Sequence, residues 1–166
     1  MKTLMLVAAV AVMIPLTTMP SQARAPLGFQ LMCLQNPSAC KASGSAQIKA
    51  GPGLRETLSR VNLQVNRTMH PVNDRGPDVW SLNARSGDCE DFVLAKRGKL
   101  IAQGLPSSAL RIAYVKTRQG VDHAVLVVKT NNGDLTLDNL TNELKPLSRT
   151  GYRVISMSGA NPLHWS

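Results

Sequence analysis

Aromatic side chains are scarce in this chain of 166 residues, which holds two Trp, two Tyr and two Phe. So small a set does not supply the row of stacked rings that a single-stranded nucleic-acid platform needs, and nucleic acid is excluded as the expected partner. Acids are also few, with 10 Asp and Glu against 19 Lys and Arg and a formal net charge of +9. The basic residues are scattered. Lys96-Arg97-Gly98-Lys99 is their one cluster and reads as the solvated face of a helix. No apolar run reaches the ~18–20 residues of a membrane-spanning helix. Repeats and low-complexity tracts are missing as well. What remains is 43% hydrophobic and 17% charged, enough for one ordinary domain with a buried core.

Met1 to Ala23 reads as an address rather than as part of the fold. Lys2 gives a positive start, Leu4 to Leu16 is free of charge, and Ser21 and Ala23 place small residues at the −3 and −1 positions of a cleavage site. This is the pattern of a secretory signal peptide, and the apolar run is too short for an anchor. The expected mature domain is residues 24–166, periplasmic or secreted, with no stable membrane insertion after cleavage.

Export implies a compartment in which disulfides persist. Cys33 and Cys40 are seven apart around Pro37 and small residues that favour a turn, so one small disulfide loop is expected. Cys89 is then left unpaired. Counting alone leaves it as either a buried structural cysteine or a reactive thiol.

Arg24 to Pro52, rich in Pro, Ser, Gly and Ala, reads as an extended arm pinned by that loop. Leu54, Leu58, Val61 and Val65 form a helical stripe after Gly51-Pro52-Gly53, ending near Asn66. Thr68 to Ser86 reads as a long loop, and Cys89 to Gln103 as a second helix closed by Gly104. Strands are expected at Leu110 to Lys116, Val121 to Lys129, Leu135 to Leu140 and Tyr152 to Met157, with a turn at Arg118-Gln119-Gly120. Helices followed by antiparallel strands indicate an α+β fold, with N-terminal helices packed on the sheet.

Three residues carry chemistry together. Cys89 begins a helix, where the N-terminal dipole favours thiolate. His123 opens a strand and is placed to take the thiol proton. Asp138 closes the next strand and is placed to orient that imidazole. The hairpin decides whether they meet. A wide loop from Lys129 to Asp134 puts Asp138 opposite Val125, diagonal to His123 at roughly 7–8 Å. A strict two-residue Asn132-Gly133 turn would pair Asp138 with Val127, about 13 Å from His123 at ~3.4 Å per residue. The triad requires the wider loop or a bulge.

Gly87-Asp88-Cys89-Glu90-Asp91-Phe92, Asp122-His123-Ala124-Val125-Leu126 and Leu137-Asp138-Asn139-Leu140 resemble the bacterial transglutaminase-like cysteine proteinase family, with its LapG-type periplasmic proteases. Asn62, Asn66, Gly76-Pro77-Asp78-Val79-Trp80 and the Cys33–Cys40 loop share the resemblance, which covers about Cys33 to Trp165. It implies a papain-like, transglutaminase-like fold and a Cys89–His123–Asp138 triad. It also implies calcium held through Asp88 and Glu90. Those acids, with Asp91, otherwise raise the thiol's pKa. Read without a metal, they cap a helix N-terminus. Calcium takes six to eight oxygens, so carbonyls, waters and Asn83 are candidates to complete the shell.

His70 and His164 read as surface residues, and Trp80 and Trp165 as core anchors, with Trp80 near the wall of the site. The Cys89 backbone N–H is the expected oxyanion donor, with Asn83 as a candidate for the second. The expected activity is a cysteine endopeptidase acting on a protein substrate through an acyl-enzyme. The alternatives are transglutaminase-type acyl transfer to an amine, and a non-catalytic binding module of the same fold.

Overall fold

The 4-3-4 spacing of Leu54, Leu58, Val61 and Val65 winds into the longest helix of the computed structural model, which describes residues 23–166. The expected leader lies outside the described residues except for Ala23. In chain order the elements are α1 (Leu27–Gln35), α2 (Pro52–Thr68), β1 (His70–Pro71), β2 (Ser86–Gly87) and α3 (Cys89–Ala102). They continue with β3 (Leu110–Lys116), β4 (Asp122–Val128), β5 (Leu135–Leu137) and β6 (Arg153–Met157). Among the described residues, no helix is long and apolar enough to cross a membrane.

Pro52 opens α2, where its missing N–H costs nothing. Beyond α3, Gly104 takes a positive φ of +88°, a left-handed helix ending that glycine adopts without steric cost. The last four strands form one antiparallel sheet in the order β5-β4-β3-β6. On one face Leu110, Ile112, Ala124, Leu126, Val128 and Leu137 join Leu58, Val61, Val65, Phe92 and Leu100 of the helices in the main core. On the other face Ala113, Val115, Val125 and Val127 pack with Leu147 and Tyr152. The β3–β6 ladder slips once: Tyr114 pairs with Ser156 but Val115 with Val154, so Ile155 is an extra residue, a β-bulge.

Two expectations fail. The segment after Arg24 is not an extended arm, because Leu27–Gln35 is a helix with Phe29, Met32 and Cys33 buried. Phe29 meets Trp80 and Trp165 edge-on, with ring centroids 5.3 and 5.4 Å apart. The Cys33–Cys40 disulfide then pins the turn that follows, with Cα atoms 5.6 Å apart. Lys96 and Arg97 are not a solvated face either, being only 1% and 4% exposed. α3 is a central helix, covered by α2 and by β4, so its charged stems are enclosed. The Lys96 ammonium lies 5.8 Å from the centre of the Phe92 ring. Arg97 donates to the carbonyls of Ala39 and Leu110 at 2.7 and 3.3 Å, tying the disulfide loop to the start of β3.

Candidate active site

The β4–β5 register is the one a wide hairpin loop produces. Leu126 pairs with Leu137, Val127 with Thr136 and Val128 with Leu135, and one further step sets Asp138 against Val125. Asp138 falls just past the end of β5 rather than within it. His123, second in β4, is its diagonal neighbour, and Nε2 of the ring lies 2.8 Å from Asp138 Oδ1. Both side chains are buried. Asp138 Oδ1 also accepts the Leu140 N–H at 3.0 Å, and Oδ2 accepts the Tyr152 hydroxyl at 2.7 Å. Burial alone would push this carboxyl upward. The donors from His123, Leu140 and Tyr152 outweigh it and hold the group below its usual range.

The loop that follows is clamped by α2. Asn66 donates to the Asp138 carbonyl at 2.9 Å, and Asn62 donates to the Thr141 carbonyl at 3.0 Å. These are the two asparagines that carried part of the family resemblance, and they act on the Asp138 segment rather than on the thiol.

Cys89 is the first residue of α3 and is partly buried, the one free cysteine among the described residues. The backbone N–H of Ala124, next to His123, reaches its sulfur. Its thiol donates to Glu90 Oε2 at 3.3 Å rather than to His123. Burial first, and then Glu90, push this thiol up to about 12. With Nε2 committed to Asp138, Nδ1 is the ring nitrogen of His123 left outside that pair.

The acids beside the thiol are more numerous than the cysteine motif alone announces. Pairing of His70 with Ser86 and of Pro71 with Gly87 closes the 72–85 loop, and brings Asp74 and Asp78 to Glu90. One oxygen of each lies within 4.8 Å of the others. The Trp80 indole N–H donates to Asp78 Oδ2 at 2.8 Å, so the ring is both core anchor and support for this acid. Asp74 accepts the Val79 N–H at 2.7 Å, and its own N–H meets Asp88 Oδ2 at 3.4 Å. Asp88 Oδ1 and Glu90 Oε1 are buried with no partner. Burial, then contacts with Asp88 and Asp78, push Glu90 up to about 10, and burial raises Asp91 to about 6. Crowded carboxylates with orphaned oxygens and, among the described residues, no ion-paired base fit a hard, oxygen-seeking cation. Asp74 escaped the sequence reading, and Asp78 entered it only within the Gly76-Pro77-Asp78-Val79-Trp80 resemblance, with no ligand role. The signal they share is a pair of acids four apart in Asp74-Arg75-Gly76-Pro77-Asp78.

Asn83 lines a groove with Met69, Leu94, Ala95, Gly98 and Ile101. At 100° per residue those α3 positions centre on the side of the helix away from Cys89. His70 and His164 are exposed, and Trp165 is buried.

Gly87 is required by space. A Cβ there would overlap the Asp91 carboxylate, which accepts the Ser81 N–H at 2.7 Å. Gly87→Ala is expected to cost about 1–3 kcal/mol and lower Tm by several degrees. Thermal unfolding checks this, and an unchanged Tm would show that the backbone yields freely.

The sequence model of the bacterial transglutaminase-like cysteine proteinases matches residues 19–166. The chain belongs to that family. Calcium-bound LapG of Legionella pneumophila is a similar solved structure, with TM-score 0.59 and 28% identity over 68% of this chain and 68% of LapG. EGTA-treated LapG from the same organism gives TM-score 0.57 and 27% identity over 66% of this chain and 64% of LapG. This proteinase-family chain thus spans about two thirds of the length of the LapG chains it matches. No curated protein matches it. Its three helices and antiparallel sheet are the transglutaminase-like fold of the family.

Proposed function

We propose that this family member is an exported cysteine endopeptidase that hydrolyses peptide bonds of a periplasmic or surface protein, with Cys89 as nucleophile, His123 as acid and base, and Asp138 as orienter. The observation that carries the reading is the buried 2.8 Å pair of His123 and Asp138 beside a thiol at a helix N-terminus. In the first step Nδ1 of His123 takes the thiol proton and sulfur attacks the peptide carbonyl carbon. The Cys89 N–H, left without an intrahelical partner, faces the oxyanion. The imidazolium then gives its proton to the leaving amine, and the C–N bond breaks to leave a thioester. His123 next takes a proton from water, whose oxygen attacks the thioester. The acid departs and sulfur recovers the proton. Asp138 stabilises the imidazolium throughout without itself being protonated.

Asp74, Asp78, Asp88 and Glu90 are the residues that would hold calcium. When bound, the ion supplies positive charge that offsets the acidic field on the thiol. The solved relative described as calcium-bound supports this choice of cation.

The test is alkylation of Cys89 by iodoacetamide across pH in the 24–166 protein. At pH 7 in calcium, labelling should exceed that in EGTA by tenfold or more, and His123→Ala should abolish the difference. Labelling at the rate of an ordinary thiol, indifferent to His123→Ala, would make Cys89 structural. Product masses separate the two enzymatic outcomes, since hydrolysis adds water and acyl transfer adds an amine.

A further inference from the structure

We propose that Tyr152 is a positioning residue for the His123–Asp138 pair, its hydroxyl fixing the carboxylate oxygen that His123 leaves free and its ring fixing the imidazole plane. This rests on the triad reading above. Asp138 has two oxygens, and a carboxylate held by one of them alone can rotate about its terminal torsion. Oδ1 takes His123 Nε2 and the Leu140 N–H, while Oδ2 takes the Tyr152 O–H at 2.7 Å. The same ring stands edge-on to the imidazole, with centroids 5.7 Å apart and planes at 84°. One side chain therefore touches both members of the pair. Burial, and then Asp138, push its phenol well above the ordinary range, so the hydroxyl is a donor at every working pH.

The bulge explains how Tyr152 comes to be there. His123 pairs with Val115, and Val115 with Val154, so these residues share a sheet face. Tyr152 lies two residues before Val154 and falls on that face too. Had the Tyr114–Ser156 register continued, Val115 would meet Ile155 and Tyr152 would point to the opposite side. The extra residue at Ile155 re-aims Tyr152, a known use of bulges beside active sites.

Other charged and titratable groups frame the pair. From α3 come Cys89, beside Ala124, and Lys96, which senses the Asp138 charge. From the β3–β4 hairpin come Arg118, packed on Gly151 next to Tyr152, and Asp122, engaged by Lys116 at 2.7 Å. None of these is hydrogen-bonded to Asp138 Oδ2. Removing the Tyr152 hydroxyl leaves more of the carboxylate's charge for His123, so the imidazolium is held more tightly.

The chain has three histidines, so His123 can be followed by NMR with exposed His70 and His164 as internal controls. In a Cys89→Ala background, Tyr152→Phe should raise the His123 midpoint by at least about half a unit and leave the other two unmoved. In the protein with its thiol intact, the same variant should lower kcat on a peptide library about tenfold at constant KM. An unmoved His123 midpoint in a folded Tyr152→Phe protein overturns the proposal. Should that variant fail to fold, 3-fluorotyrosine at position 152, a stronger donor, must move the midpoint down, and no movement is equally fatal. The titration does not depend on turnover. If His123→Ala leaves Cys89 alkylation unchanged, the catalytic reading falls by itself.

Discussion

Asp138→Asn will lower turnover of a peptide library by roughly a hundredfold to a thousandfold, with little loss of stability. The replacement is nearly isosteric. Its carbonyl oxygen takes the Oδ1 position, where the His123 and Leu140 donors need an acceptor. The amide nitrogen then faces Tyr152, whose hydroxyl turns to accept instead of donate. Every buried polar group keeps a partner, so the fold survives. What is lost is the negative charge behind the imidazole at the moment it becomes a cation. Mass spectrometry of the digested library, beside Cys89→Ala as the zero, measures the effect. Wild-type turnover in the Asn variant would remove Asp138 from the mechanism and leave it a structural cap for the loop that Asn62 and Asn66 clamp.

Removing calcium should reverse the pH dependence of stability. The metal-free carboxyls of Glu90 and Asp91 sit at about 10 and about 6, above their ordinary values of 4.5 and 3.8. Groups raised on folding contribute stability that is full below their unfolded pKa and is lost as pH climbs through the folded one. In EGTA, Tm should therefore fall from pH 4.5 to 8.5, through Asp91 and Glu90 together up to about pH 6 and through Glu90 alone above it. With the cluster neutralised by a cation the carboxylates are favoured as anions. Their contribution is then present above pH 4.5 and lost on acidification. Calcium at a hundred times its Kd adds about 2.7 kcal/mol on top. Two scanning-calorimetry series, one in calcium and one in EGTA, should merge near pH 4, where protonated carboxyls release the ion, and separate progressively as pH rises. Coincident curves would mean that Asp74, Asp78 and Glu90 hold no cation and that Glu90 simply keeps its proton.

Much of this arrangement was legible in the residues. The stripe from Leu54 to Val65, the helix from Cys89 and the strands carry clear periods. Counting along the Lys129–Asp134 loop narrowed Asp138 to a place opposite Val125 or Val127, and the observed register selects Val125. Where periodicity is silent, reading failed. α1 is apolar on several sides, with Leu27 and Leu34 exposed while Phe29 and Met32 are buried, so it shows no polar face to betray a helix. Lys96 and Arg97 look like surface because charge usually is. Only tertiary packing reveals the carbonyls of Ala39 and Leu110 that Arg97 serves. Asp74 and Asp78 stand more than ten residues from Glu90 and meet it only because two short strands zip the loop shut. Tyr152 is hidden by the bulge, since simple alternation places it on the wrong side.

That bulge also bears on how the protein can change over time. His123, Val115 and Tyr152 are aligned by parity, an even or odd count along each strand, with Ile155 as the single odd increment. Point substitutions adjust such a site by degrees. A one-residue gain or loss inside β4 or β6 acts instead as an inversion, turning a whole row of side chains through the sheet. Length variation among descendants of this chain is thereby confined to its turns, and the spacing within the strands becomes as much a part of the site as the residues they carry.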